Sequence, residues 1–148
     1  ERDELKVVHD QYGVPTSANW LAKVSLALVL DPQFQIRPFA SGIYHAIPAG
    51  ETTWHGLACM AVQAALDADI ALKANPESIR PILAAEYPLP APRPANSRMA
   101  NAKLRLALSD VISSTSNSYN QTQNEPNFPA WEDMVQQYVS QLAKEGLI

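Results

Sequence analysis

The chain has 148 residues, 47% hydrophobic and 18% charged, with a net charge of -4. That is about one domain's worth, with enough apolar side chain for a packed core rather than global disorder. The acidic balance argues against a protein that binds nucleic acid by neutralising phosphates, and no apolar run approaches the roughly 20 residues that span a bilayer. Neither nucleic acid nor a membrane is an expected partner. Cys59 is the one cysteine. It cannot form an internal disulfide, so the sequence fits a reducing compartment, and the cytoplasm is the expected location. The chain opens Glu1-Arg-Asp-Glu, without methionine or signal peptide, and reads as a piece of a longer polypeptide.

Leu5-Lys-Val-Val8 is a β-branched run that suits a strand. Asp10-Gln-Tyr-Gly-Val-Pro-Thr16 reads as a loop, with Gly13 free to take positive φ and Pro15 fixing φ. Thr16 is placed to cap a helix in which Leu21, Val24 and Leu28 share a face, and Asp31-Pro32 ends it. The central stretch is a strand over residues 42–47, a turn at Pro48 and Gly50, then a helix capped by Thr52. Trp54, Leu57, Ala58, Ala61 and Ala65 form one face of that helix, which fades near Asn75-Pro76. Trp54 is expected in the core, and Cys59 as a small buried apolar residue. Residues 79–85 suggest a short edge strand, because Pro81 would damage a central one.

Next comes Tyr87-Pro-Leu-Pro-Ala-Pro-Arg-Pro94, whose four alternate prolines hold it extended. Residues 96–99 lead into a helix through Leu104 and Leu108. Residues 113–127 are rich in Ser, Thr, Asn and Gln and read as a polar flexible loop. A last helix starts near Trp131, with Met134, Val135, Tyr138 and Leu142 on the same face, and docks on the core. The strand–helix alternation makes the fold class α/β.

Charge is unevenly placed. Residues 87–109 carry Arg93, Arg98, Lys103 and Arg105 and no acid, a +4 window in a chain of -4. Arginine forks match phosphate oxygens in pairs, and a proline-stiffened arm can hold them, so one reading is a diphosphate site. The other is a solvated surface that lacks acids. His9, His45 and His55, with Asp10 and Glu51, show no HExxH or similar ligand spacing, so no metal site is expected. There is no GxSxG elbow. The five glycines (13, 42, 50, 56 and 146) make no glycine-rich nucleotide loop, and no tyrosine has a lysine four residues later. A carbonyl reductase of the Tyr-Lys type cannot work with these residues alone.

In combination, several segments resemble the C-terminal half of the dTDP-4-dehydrorhamnose reductase family of extended short-chain dehydrogenase/reductases. They are Leu5-Lys-Val-Val-His-Asp-Gln-Tyr-Gly-Val-Pro-Thr-Ser-Ala18, Gly42-Ile-Tyr-His45, Gly50-Glu-Thr-Thr-Trp-His-Gly-Leu-Ala58, Tyr87-Pro-Leu-Pro-Ala-Pro-Arg-Pro-Ala-Asn-Ser-Arg-Met99 and Pro129-Ala-Trp131. The resemblance implies a C-terminal substrate-binding domain over residues 1–148, lacking the N-terminal nucleotide-binding Rossmann half with its glycine-rich loop and Tyr-x-x-x-Lys pair. It implies no catalytic or cofactor-binding residue in this chain. In the intact enzyme NADPH, or NADH, delivers hydride to C4 of a dTDP-4-keto sugar and dTDP-L-rhamnose forms; the fragment alone is expected to be inactive.

Arg93 is then the expected diphosphate ligand. Arg98 orients the diphosphate or braces the loop, and Asn96 makes polar contacts. Gln11, Gly13 and Thr16 form another wall near the nucleotide or sugar, although turn-and-cap chemistry explains Gly13 and Thr16 equally well. Trp54 and His55 are read as structural. The chain departs from the family at Pro92, where a second arginine is common. It departs again at Asn19, where some members carry a glutamate that binds Mg²⁺ between subunits, so Mg²⁺ is not expected; homo-oligomers remain open. Two other readings stand beside this one: a non-catalytic regulatory subunit of the same fold, like the β subunit of methionine adenosyltransferase, and another nucleotide-sugar reductase or epimerase. A piece made to pack on a Rossmann half is also expected to expose an apolar face.

Overall fold

The computed structural model describes residues 5–31, 33–38, 40–115 and 128–148, with side chains described throughout except at 110–115. These residues fall into two compact units. The first takes in 5–15, 48–98 and 129–148, and the second 16–47, 99–115 and 128. The expected polar loop at 113–127 lies outside the described residues beyond Thr115, and its first three positions continue a helix.

In the first unit, β1 (Leu5–Val8) pairs in parallel with β4 (Ile79–Ile82), Leu5 opposite Ile79 and Val8 opposite Ile82. Pro81 sits opposite Val7 and is tolerated because β4 has an open edge. A second pair is short and antiparallel: β2 (Tyr12–Gly13) against β3 (Thr52–Thr53). The loop expected around Gly13 is therefore tied down by strand bonds. Helix α2 (Trp54–Asp67) follows β3 directly. Its cap is Thr53, whose Oγ1 accepts from Gly56 N–H at 3.1 Å, not Thr52. Thr52 is instead a strand residue, its Oγ1 donating to its neighbour's carbonyl. The helix ends at Asp67, eight residues before Asn75. Asn75 caps a separate 3-10 turn, Pro76–Ser78, which feeds β4.

Helix α4 (Trp131–Lys144) packs on α2. Ala64 and Ala65 are buried with Val139, and Ile70 and Val135 close around them. Two adjacent alanines give α2 a small surface at this contact. Trp131 and Met134 are buried as expected, but Tyr138 is 61% exposed and its neighbour Val139 takes the inward place. The stripe therefore rotates by one residue toward the small surface of α2. Trp54, expected in the core, is 50% exposed. The contact with α4 is built ten residues further along α2.

The second unit has a leucine core. Helix α1 (Ala18–Val29) is capped by Ser17, whose Oγ accepts from Trp20 N–H at 3.4 Å, so the cap falls one residue after Thr16. Leu28 packs with Leu104 and Leu108 of α3 (Ala102–Thr115), and Val24 and Tyr44 close the cluster. Leu21, expected on the same face, is 42% exposed. Residues 42–47, expected as a strand, form none: Gly42 is a bend with φ of 146° and 43–47 carry no regular secondary structure. The alternation is only partial: Tyr44 and Ala46 turn toward the leucines while Ile43 is 80% exposed, but Ile47 is buried directly after Ala46. The backbone, however, is served by side chains. Lys103 Nζ donates to the Ile43 carbonyl and Asn101 Nδ2 to that of Ile47, both at 3.0 Å. Periodicity of two sets which side chains face inward; only a partner strand makes a ladder.

Candidate functional site

The polar chemistry of the first unit gathers where the arm meets β2. Residues 85–100 are all exposed. The arm is fastened at its far end by two backbone bonds that bracket Asn96: Tyr12 N–H donates to Ala95 O, and Ser97 N–H to Tyr12 O, each at 2.8 Å. Alternate prolines leave the preceding stretch with few donors; at the anchorage Ala95 supplies its carbonyl and Ser97 its N–H.

Arg98 is the best-held cation in the unit. Its Nη1 lies 2.9 and 3.1 Å from the two carboxylate oxygens of Glu51. Its Nε donates to Asn96 Oδ1 at 3.0 Å, as does its backbone N–H. The guanidinium carbon stands 5.2 Å from the centroid of the Tyr12 ring, a cation–π distance. The structure thus brings together Arg98, Asn96, Gly13 and, beside Tyr12, the half-buried Gln11. At Gly13 an added Cβ would meet the Ser97 Cβ at an ordinary 3.9 Å, so close packing does not require glycine there. Arg93 is exposed, with no hydrogen-bond or ion-pair partner among the described residues. Thr16 belongs to the second unit, half-buried just before the Ser17 cap.

The acid-free window is divided between the two units. Lys103 and Arg105 lie in the second unit, each committed locally. Lys103 Nζ is 4.3 Å from the Tyr44 ring centroid. The Arg105 guanidinium is 3.9 Å from that of Phe128, with Nε on Asn101 Oδ1. Nothing in local spacing pointed to Glu51 or Tyr12 as partners of Arg98. Glu51 is 47 positions away, and its one sequence signal is that the window has no acid of its own.

His55 Nε2 is 2.9 Å from the Ile79 carbonyl, which can only accept, so that nitrogen carries the proton. The contact links the start of α2 to β4. Cys59, one turn on, lies 3.6 Å from the same ring, and burial pushes its thiol pKa up. Asp10 accepts from Ala84 N–H, the first residue of the 3-10 turn Ala84–Glu86, at 2.9 Å. Among the described residues no three His, Cys, Asp or Glu side chains gather as a metal would need, and no helix is long and apolar enough to cross a membrane.

By fold the chain is an α/β module with a cationic arm on its surface. It belongs to the family of RmlD substrate-binding domains, whose model matches residues 1–142. A dTDP-4-dehydrorhamnose reductase from Burkholderia thailandensis is 40% identical over 108 residues, covering 71% of this chain and 36% of that protein. One from Sinorhizobium fredii is 31% identical over 144 residues, 97% of this chain and 42% of that protein. The crystal structure of a dTDP-4-dehydrorhamnose reductase from Clostridium acetobutylicum matches with a TM-score of 0.62 at 26% identity, over 95% of this chain and 39% of that one. The Bacillus anthracis enzyme, solved in complex with NADP, matches in fold with a TM-score of 0.63 at 23% identity, over 93% of this chain and 38% of that one. The chain thus spans roughly a third to two fifths of the length of the relatives it matches.

Proposed function

We propose that this chain is the substrate-binding portion of a dTDP-4-dehydrorhamnose reductase, which reduces dTDP-4-dehydro-L-rhamnose to dTDP-L-rhamnose with NADPH. The observation that carries the reading is the arm. Arg93 is exposed and without a partner among the described residues, on a segment whose far end is bonded to Tyr12, so its guanidinium is placed to meet the two phosphates of a dTDP-sugar. Arg98 and Asn96 hold that segment, and Gln11 and Gly13 line the loop beside it. Thr16 is kept as a nucleotide or sugar contact of the intact protein.

The residues present do not fit a nicotinamide cofactor. The chain has no glycine-rich loop and no Tyr-x-x-x-Lys pair. Cofactor and proton donor are therefore assigned to the remainder of the intact protein, and this chain's task is to bind and orient the sugar nucleotide. The NADP-bound Bacillus anthracis relative supports the choice of cofactor. A second reading keeps the dTDP end and changes the sugar. It is favoured by a dTDP-4-keto-6-deoxy-D-glucose reductase from Streptomyces niveus, 38% identical over 81 residues, 55% of this chain and 23% of that protein.

The test is calorimetric titration of dTDP into the intact protein, followed by NADPH consumption with a panel of dTDP-4-keto sugars. Binding of dTDP that Arg93→Ala weakens, with turnover of the rhamnose precursor, is expected. Absence of dTDP binding sinks the reading. Turnover of another sugar alone selects the second.

A further inference from the structure

We propose that Glu51 is a positioning residue for the anion-binding arm, acting through Arg98. The inference rests on the reading above that the arm receives a nucleoside diphosphate. Arg98 has its charge matched by Glu51 and its Nε engaged by Asn96, so it is poorly placed to be the main phosphate ligand. What it does is join three separate stretches of chain: the end of the arm, the Tyr12 ring of β2, and the residue before β3.

Glu51 itself stands on a fixed base. Ala49 N–H donates to Pro129 O at 2.9 Å and Trp131 N–H to Ala49 O at 3.1 Å, so the entry to α4 grips the preceding backbone. Gly50 has φ of 87°, and an added Cβ would lie 2.9 Å from Trp131 Cδ1. Only glycine fits between that indole and the turn. The carboxylate is thereby aimed from a rigid support, which is what a positioning group requires. The side chains of the pair are 43% and 54% exposed, and exposed ion pairs add little to stability. The consequence is local: Arg98 ordered by Glu51 keeps residues 95–98 on β2, and the open Arg93 is carried at a set distance from that anchor.

Two readouts on the intact protein separate this claim from the reading beneath it. In Glu51→Gln, the Ser97 and Tyr12 amides are expected to exchange with solvent about fivefold faster, and dTDP affinity to fall about fivefold. Arg98→Lys keeps the charge but cannot serve Glu51 and Asn96 together, and is expected to behave like Glu51→Gln. Adding Glu51→Gln to Arg98→Met should change neither readout further, which shows that Glu51 works through Arg98. Unchanged exchange and affinity in Glu51→Gln would overturn the proposal. So would tighter dTDP binding, which would mean that Glu51 competes with the phosphates for Arg98. If the wild-type protein binds no dTDP, the diphosphate reading fails, while amide exchange still decides whether Glu51 holds the arm.

Discussion

One stretch of sequence meets two fates in the two units. Its four cations look alike from residue 87 to residue 109, but the first unit leaves Arg93 open and ties Arg98 to a carboxylate, while the second lays Lys103 and Arg105 on aromatic rings. The helix packing differs too. In the first unit Ala64 and Ala65 meet Val139; in the second Leu28 meets Leu104 and Leu108. The contrast teaches that a charge pattern reports which residues are available, and the partners across the fold decide which one remains free to bind.

The contrast can be tested from its largest expected effect downward. Leu104→Ala empties the centre of the leucine cluster, where the side chain is 1% exposed, and is expected to cost about 2–5 kcal/mol in a denaturation experiment. Arg93→Ala should leave stability unchanged and weaken dTDP binding by about 1.5–3 kcal/mol, roughly ten- to a hundredfold, measured by calorimetry. A wild-type affinity in that variant would erase the distinction between the two halves of the window. Thr53→Ala removes the α2 cap and is expected to lower stability by about 1 kcal/mol, whereas Thr52→Ala should not show a cap-sized loss of helix stability. Lys103→Ala sharpens the comparison at its weak end. It should cost about 0.5–1 kcal/mol of stability, from the contact with the Tyr44 ring, and leave dTDP affinity unchanged.

Much of the fold was legible locally. β1, α1, α3 and α4 fall where periodicity and turn residues put them, and the edge strand with Pro81 is present but ends at Ile82, because a 3-10 turn takes Ala84–Glu86. The misses share a cause. Thr16 and Thr52 were expected as caps, yet Ser17 and Thr53 do the work, because adjacent hydroxyls are equivalent until the backbone turns. Residues 42–47 alternate in sequence as a strand would, but among the described residues no strand pairs with them to complete a ladder. Tyr138 and Val139 differ by one position on a helix, and only the small surface of α2 chooses between them.

The site divides in the same way. The amino-acid sequence by itself determined the arm: its prolines restrict φ and remove donors, and its arginines supply the forks, because these are properties of single residues. It also determined that no nicotinamide loop or Tyr-Lys pair is present in these 148 residues. Only the tertiary structure decided that Glu51 and Tyr12 take Arg98 and leave Arg93 open. Pairing across 47 and 86 positions depends on which backbones the fold brings within hydrogen-bond reach, and no local spacing encodes that distance.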